Sequence, residues 1–295
     1  MSAQPAATAR IALVTCAELP QLDEDEIAPI APLAERGITA EPAVWNDPAV
    51  DWAAYDLAVI RSTWDYIDHH DDFVAWADRV PNLANPADVV RWNTDKTYLR
   101  DLAEAGVPVV PTTWLDPDST VTLPTSGEFV VKPAISCGSK DTGRYDLADA
   151  AQRALAAGLA TRLLSEGRTV MVQPYLHAVD TAGETAVLFF GGHYSHAIRK
   201  GALLDGPAGD VGLYKQEDIR AREATDSELH VAQQALAAVP GGADRLLYAR
   251  VDVIPDADGH PVLLELELTE PSLFLRYDEG APERFADAVA AYLKR

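Results

Sequence analysis

The chain has 295 residues, of which 48% are hydrophobic and 24% charged, and its formal net charge is −22. This length suits about two domains with cores of their own, and the composition is that of a globular protein rather than a disordered or fibrous one. The charge would repel nucleic-acid backbones and anionic membranes, because the basic residues are scattered rather than gathered in a patch. We therefore expect neither nucleic acid nor a membrane as a partner.

Cysteine content and the N-terminal segment indicate the compartment. The two cysteines, Cys16 and Cys137, are too few for a disulfide framework or a zinc site, which is typical of a reducing cytoplasm. The apolar run 11–16 is too short for a signal peptide or a membrane segment. We predict a soluble, cytoplasmic protein in which residues 1–10 form a mobile tail.

Strands alternate with a helix in the first part of the chain. Residues 10–15 are predicted to form a buried strand, 24–36 a helix, and 38–44 and 56–60 two further strands. This alternation predicts an open, parallel α/β sheet, whose ligand sites lie beyond the carboxyl ends of the strands. A nicotinamide dehydrogenase is disfavoured, because its first strand needs a glycine-rich turn and this chain has Cys-Ala-Glu-Leu-Pro there.

A polar loop is predicted at the carboxyl end of the third strand. Its sequence at 61–66, Arg-Ser-Thr-Trp-Asp-Tyr, combines a cation, hydroxyl groups, a carboxylate and aromatic rings, which suits a small polar substrate. Arg61, Ser62, Asp65 and Tyr66 are the candidate substrate-binding residues. A surface loop that packs its tryptophan is the alternative.

From residue 93 onward the strands and helices follow a different pattern. The predicted elements, in chain order, are a helix over 97–105, strands over 107–111 and 128–132, a helix over 146–166, strands over 170–173, 186–190 and 193–198, a helix over 227–239, a strand pair over 247–254 and 262–268, and a helix over 282–293.

Two lysines and a loop are candidates for binding an anion. Lys132 ends an apolar strand, so its ammonium group needs either an anionic partner or a route to solvent. Lys96 closes the segment Asn-Thr-Asp-Lys. The loop 136–144 offers amides, hydroxyls and glycines that suit phosphates, although it lacks the Gly-Lys-Ser/Thr of a P-loop. An ordinary surface loop is the alternative.

The strand pair near the C-terminus carries the clearest chemical signal. The turn Asp-Ala-Asp-Gly between its strands predicts a hairpin. Side-chain alternation puts Glu265 and Glu267 on one face of the second strand. The leucines of that strand would take the other face: Leu264, Leu266 and Leu268.

Arg250 and Asp252 likewise share a face of the first strand of this pair. Three carboxylates on one face repel each other unless a divalent cation neutralises them, and ligation by oxygen alone selects a hard ion such as Mg²⁺. Asp252, Glu265 and Glu267 are therefore predicted metal ligands. The alternative is a solvated face on which Arg250 pairs with the acids. A glycosidase is disfavoured, because these acids lie too close together and the lysines would have no role.

The order of these features resembles the ATP-grasp superfamily over residues 93–272. The implied fold has an N-terminal Rossmann-like substrate domain over 1–92 and two α+β subdomains, at 93–170 and 171–295, that clamp ATP. The segment that begins at Glu265 is similar to the metal-binding strand of bacterial glutathione synthetases and D-alanine–D-alanine ligases. It departs from them by a glutamate where they usually carry asparagine, which leaves open whether one or two Mg²⁺ ions, or Mn²⁺, bind.

The resemblance implies a role for each candidate residue. Arg250 would stabilise the oxyanion that forms when a nitrogen attacks an acyl phosphate. Lys200 would contact the γ-phosphate, or else be a surface lysine, and Glu184 would hold the ribose hydroxyls. The three carboxylates would bind Mg²⁺. The remaining contacts with ATP would come from Lys96, Lys132, Ser136, Gly138, Ser139 and Thr142, and from the adenine-binding hinge of Gln173, Pro174, Tyr175 and Leu176.

Within the superfamily, the segments 61–66, 91–96 and 267–275 resemble the small group that includes the D-cycloserine-forming cyclo-ligase of antibiotic biosynthesis. This implies that ATP activates the carboxylate of O-ureido-D-serine and that a nitrogen of the same molecule closes the ring. A ligase that joins separate carboxylates and amines is one alternative, and an ATP-binding module without turnover is another. The implied partners are ATP and a small amino-acid-like molecule, and a homodimer is one oligomeric state that the sequence allows.

Overall fold

The computed structural model describes residues 9–209 and 218–295. The strands within these ranges form three sheets. Among the helices of the same ranges, none is both long and apolar enough to cross a membrane. Most of the predicted N-terminal tail, residues 1–8, lies outside the described residues, and Ala9 and Arg10 already belong to the first strand.

The first sheet confirms the predicted parallel arrangement. Its spatial order is β2-β1-β3-β4, and all of its pairings are parallel. The helix predicted over 24–36 is two short helices instead, because Pro29 between them lacks a backbone donor. The elements are β1 (Ala9–Thr15), α1 (Glu24–Ile27), α2 (Ile30–Glu35), β2 (Ile38–Val44), β3 (Leu57–Ser62), α3 (His70–Ala77), β4 (Leu83–Ala84) and α4 (Ala87–Asn93).

Two different cores cover the two faces of this sheet. One face packs on an aromatic cluster that includes Trp45, Phe73 and Trp76. The other face contributes Ile11 and Val59 to a core that it shares with the C-terminal part of the chain. The shared core fixes the N-terminal domain against that part, so side chains from both contribute to one site.

The second sheet is antiparallel, in the order β5-β8-β6-β7. The prediction of a strand over 107–111 was wrong. Only Val109 forms an isolated bridge there, because Pro108 and Pro111 lack the backbone donor that a strand needs. The next strand, β5, begins at Thr113. Strand β8 runs from Val170 to Pro174, so the subdomain boundary predicted after residue 170 falls inside this strand. The elements are α5 (Tyr98–Glu104), β5 (Thr113–Leu115), β6 (Glu128–Pro133), β7 (Gly143–Asp146), α6 (Ala150–Ser165) and β8 (Val170–Pro174).

The third sheet is antiparallel and contains the predicted hairpin, in the order β11-β10-β9-β12-β13. Helix α8 begins at a capping box, in which the Thr225 hydroxyl and the Glu228 carboxylate each accept a backbone N–H of the other residue. The elements are α7 (Ala178–Thr181), β9 (Glu184–Phe190), β10 (His193–Lys200), β11 (Ile219–Arg222), α8 (Asp226–Ala237), β12 (Tyr248–Pro255), β13 (Pro261–Glu267) and α9 (Ala281–Tyr292).

A β-bulge interrupts the hairpin of β12 and β13. Asp252 pairs with Glu265, but Val253 pairs with Leu263, so Leu264 is an extra residue on β13. The extra residue breaks the strict alternation of side chains, and Leu264 lines the same cavity as Glu265. The prediction that Leu264 faces the opposite side was therefore wrong.

Candidate active site

A cavity of about 410 Å³ is lined by strands of the second and third sheets and by Asp23, Asp25 and Trp64 of the N-terminal domain. Its wall includes every residue that was predicted to contact ATP: Lys96, Lys132, Ser136, Gly138, Ser139, Thr142, Gln173, Pro174, Tyr175, Leu176 and Glu184. Four residues predicted to act in catalysis or metal binding line it as well: Lys200, Arg250, Glu265 and Glu267. Folding thus brings these residues, spread over more than half of the chain, to one cavity.

One end of the cavity is apolar. Val110, Tyr175, Val179 and Ile254 form a small hydrophobic cluster there, and the bulged Leu264 packs against it. Such an apolar slot suits a flat heterocycle such as adenine.

The polar contacts of the hinge keep its side chains in place. The Tyr175 hydroxyl donates to Asp180 at 2.6 Å, and the Arg144 guanidinium lies 3.6 Å from the centre of the tyrosine ring. The amide of Gln173 donates to Thr112 at 2.9 Å. These contacts hold the slot in shape at the point where β8 ends.

Three buried lysines form the middle of the cavity. The Lys96 ammonium donates to the carbonyl of Ser136 and lies 3.2 Å from Glu265 Oε1. Lys200 Nζ lies 2.9 Å from a carboxylate oxygen of Glu184. Lys132 is 9% exposed, and burial lowers its pKa. An anion in the cavity would stabilise these ammonium groups, and the phosphates of ATP are such anions.

The predicted metal ligands are paired with cations in this structure. Asp252 Oδ2 lies 2.6 Å from Lys200 Nζ, and Arg250 Nε donates to Asp252 Oδ1 at 3.0 Å. Burial acts to raise the pKa of Asp252, but Arg250 and Lys200 outweigh it and hold the pKa below its ordinary value. Burial and the neighbouring Glu265 raise the pKa of Glu267 to about 8, although Arg250 opposes this.

The donor set fits a hard divalent cation in part. Glu265 and Glu267 present carboxylate oxygens to the cavity, which is the ligand chemistry that Mg²⁺ prefers. Asp252 is 1% exposed and does not line the cavity. In the described residues, the carboxylate oxygens of these three acids do not all lie within 4.8 Å of one another. Glu265 and Glu267 are the better placed of the three to receive an ion.

The structure places the predicted substrate loop behind the cavity wall. Arg61 and Ser62 belong to β3, and residues 64–68 form a short 3₁₀ helix. Arg61 is 1% exposed, and its guanidinium donates to both carboxylate oxygens of Glu26 and to the carbonyl of Pro271. The Arg61 cation is therefore already neutralised within the protein.

The other three residues of this loop also lie outside the cavity wall. The Ser62 hydroxyl accepts from the backbone N–H of Asp23, and Asp65 accepts from the indole of Trp45 at 2.9 Å. The Tyr66 hydroxyl donates to Glu270, which does line the cavity. These residues support the wall rather than form it.

The part of the wall next to this loop comes from residues that the sequence interpretation did not propose as site residues. Phe274 has the left-handed backbone angle φ 51°, which is uncommon for a residue other than glycine and typical of functional sites. Phe274 lies in the segment 267–275, and the resemblance of this segment to the cyclo-ligase group is the signal that could have identified it. Nothing in the sequence pointed to Asp25 of α1 or to the preceding Asp23. The wall residues that the sequence interpretation did not propose here are Asp23, Asp25, Trp64, Glu270, Ser272, Phe274, Arg276 and Tyr277.

The loop 136–144 is tethered on two sides. The Cys137 thiol lies 3.1 Å from the carbonyl of Trp64, and Lys140 Nζ lies 2.7 Å from Asp68 Oδ1. On the other side, Arg168 Nη1 lies 2.8 Å from a carboxylate oxygen of Asp141. The tethers use side chains that are partly exposed, so they add little to the stability of the loop.

We expect Mg-ATP to protect this loop from trypsin. Cleavage after Lys140 should slow by at least about tenfold with saturating nucleotide, because binding stabilises the ordered loop by mass action. Peptide mapping by mass spectrometry measures the rate, and cleavage after Arg79, which is exposed and does not line the cavity, is the internal control. Equal protection at both positions, or at neither, would contradict the predicted phosphate loop.

Comparison with known proteins agrees with this geometry. Residues 11–85 match the family model described as "D-cycloserine synthetase DcsG, N-terminal domain". The chain is 43% identical over 305 residues to the cycloserine biosynthesis protein DcsG of Streptomyces lavendulae, covering 96% of this chain and 99% of that protein. A crystal structure of D-cycloserine synthetase DcsG superposes with a TM-score of 0.85 at 40% identity, covering 96% of this chain and 99% of the other.

A more distant likeness concerns the fold alone. The ATP-grasp ligase PsnB, solved with a phosphomimetic variant of its minimal precursor, Mg and ADP, has a TM-score of 0.62 at 18% identity, covering 97% of this chain and 99% of the other. The predicted ATP-grasp fold is confirmed.

Proposed function

The chain belongs to the D-cycloserine synthetase family of ATP-grasp ligases, and on this basis we propose that it activates the carboxylate of O-ureido-D-serine with ATP and closes the ring by forming a C–N bond. The observation that carries the proposal is one cavity whose wall combines an apolar slot, three buried lysines, the carboxylates of Glu265 and Glu267, and a polar far end lined by Asp23, Ser272 and Arg276. ADP and inorganic phosphate are the by-products.

The lysines bind and orient the phosphates. Lys96, Lys132 and Lys200 all line the cavity, and they lie close enough for the charges of Lys96 and Lys200 to act on Lys132. Their buried charges stabilise the negative charge of the phosphoryl group as it moves to the substrate carboxylate. Mg²⁺, when bound by Glu265 and Glu267, supplies further neutralisation of that charge.

Arg250 is placed to act on the acyl phosphate. Its guanidinium contacts Asp252 and Glu267 and donates to the carbonyl of Ser272 at 3.3 Å. Arg250 shares its partner Asp252 with Lys200 and also contacts Ser272, so it links the lysines to the part of the wall that would hold the carbonyl carbon of the substrate. A positioned cation stabilises the oxyanion that develops when the nitrogen attacks.

The far end receives the rest of the substrate. Asp23 supplies a carboxylate, Arg276 a guanidinium and Ser272 a hydroxyl to this part of the wall. These groups complement a small molecule that carries both an ammonium and a ureido group. A nucleophile tethered to the same molecule has a large effective concentration, so it competes with water for the acyl phosphate.

The proposal predicts turnover of O-ureido-D-serine without an added amine. The protein should release ADP and phosphate and form a cyclic product, which mass spectrometry detects after incubation with Mg-ATP. Samples without ATP and samples with the L enantiomer are the controls. An absence of cyclic product, together with rapid ADP release when two separate amino acids are supplied, would make the protein an intermolecular ligase.

A binding module without turnover is the less favoured reading. Pure nucleotide binding would not need two carboxylates and Arg250 at the boundary between phosphates and substrate. The number of Mg²⁺ ions, the use of Mn²⁺, homodimer formation and a cytoplasmic location stay predictions from the sequence.

A further inference from the structure

Glu270 is a buried acid on the cavity wall with no role in the proposal so far. It follows β13 in the chain and is 9% exposed. The Trp64 indole donates to the Glu270 carbonyl at 3.1 Å, so the N-terminal domain fixes the backbone at this point. Glu270 therefore lies where the loop 136–144, the far end of the cavity and the N-terminal domain meet.

Tyr66 holds the carboxyl group of Glu270. Its hydroxyl donates to the glutamate, and its ring packs against Phe73 with 5.0 Å between ring centres. Burial, together with Glu270, raises the pKa of Tyr66 well above its ordinary value. The hydroxyl therefore keeps its proton and remains a donor to Glu270 throughout the neutral range.

The surroundings of Glu270 combine burial with charges of both signs. Burial raises its pKa to about 7, and Glu265 adds to the rise, whereas the Tyr66 hydrogen bond and Lys96 oppose it. The thiol of Cys137 also faces this group. A carboxyl group that titrates near neutral pH can both accept and return a proton during turnover.

The other acids of the wall have different partners. Glu265 and Glu267 pair with Lys96 and Arg250. Asp25 accepts from the backbone N–H of Leu275 and of Arg276. Glu270 differs, because its hydrogen-bond partner is the neutral hydroxyl of Tyr66.

Resting on the proposed function, we propose that Glu270 accepts the proton of the attacking nitrogen and that Tyr66 is its positioning residue. As the nitrogen attacks the acyl phosphate, the C–N bond forms and the C–O bond to phosphate breaks. The bonding electron pair leaves with inorganic phosphate, and the N–H proton passes to the Glu270 carboxylate. Glu270 returns this proton to water when the product leaves.

Glu270→Gln separates this step from the activation of the substrate. With O-ureido-D-serine and Mg-ATP, the variant should lose at least about 100-fold in cyclic product, the usual effect of removing a general base. With added hydroxylamine it should still release ADP and form the hydroxamate within about fivefold of wild type, since hydroxylamine captures an acyl phosphate without help from a base. Glu279→Gln, at an exposed position nearby, is the matched control and should behave as wild type.

Tyr66→Phe gives a second test, which does not depend on how Glu270→Gln folds. The lost hydrogen bond no longer favours the ionised carboxylate, so the pKa of Glu270 rises. The active form is the ionised one. Cyclic product formation should therefore increase with pH through a midpoint near 7 in wild type and through a higher midpoint in Tyr66→Phe.

The outcomes distinguish the two proposals. Unchanged product formation in Glu270→Gln, parallel loss of hydroxamate and product, or an unmoved midpoint in Tyr66→Phe would each overturn the assignment of Glu270. Failure of wild type to release ADP with any carboxylate would instead overturn the proposed function.

Discussion

Glu265→Gln is expected to lower ADP release by at least about 100-fold at saturating Mg²⁺, a loss of roughly 3 kcal/mol in transition-state stabilisation. The Glu265 carboxylate lies on the cavity wall, 3.2 Å from Lys96 Nζ, and its charge also acts on Lys132. Glutamine keeps the shape of the side chain but removes the negative charge that both the lysines and a hard cation require.

The same substitution at Glu267 should have a similar effect, since Glu267 contacts Arg250 on the same wall. ADP release is measured against Mg²⁺ concentration, and thermal unfolding checks that each variant is folded. Asp258→Asn, in the exposed turn of the same hairpin, is the matched control and should leave turnover unchanged. Wild-type ADP release in both glutamine variants would show that the metal site lies elsewhere.

Glu26→Gln is expected to destabilise the fold by about 3–5 kcal/mol, because it leaves the Arg61 charge buried without its partner. The two side chains are 2% and 1% exposed, so water cannot replace the lost carboxylate. The Nη1 atom of Arg61 already has no hydrogen-bond partner among the described residues. In a chain of this length the loss corresponds to a fall in melting temperature of roughly 5–8 °C.

Calorimetry or circular dichroism measures this fall. Glu35→Gln, at an exposed position of α2, is the control for the chemical change alone and should shift the melting temperature little. Replacing Arg61 and Glu26 together by methionine should recover part of the loss, because no unpaired charge is left. An unchanged melting temperature in Glu26→Gln, with a raised KM in Arg61→Met, would favour the substrate contact that the sequence predicted for Arg61.

Local patterns in the sequence were sufficient to propose several residues of the candidate nucleotide site, which the structure brings to one cavity. The alternation of side chains in β13 predicted that Glu265 and Glu267 share a face, and the position of Lys132 at the end of an apolar strand predicted an ammonium group that needs an anionic partner or a route to solvent. The first prediction follows from the two-residue period of a strand and the second from the cost of burying a charge, and both need only neighbouring residues. The hinge around Tyr175 required the resemblance as well, because a short polar segment after a strand has no period of its own.

The tertiary structure decided which charges are available to a ligand. Arg61 looked like a substrate cation, but its partner Glu26 lies 35 residues earlier and meets it only when α1 packs beside β3. The bulge at Leu264 depends on the register of two paired strands, and the far end of the cavity combines Asp23 with Glu270. The sequence by itself determined residue types and local periods. Pairing and burial were decided by contacts between distant segments, because the free energy of a buried charge depends on every group packed around it.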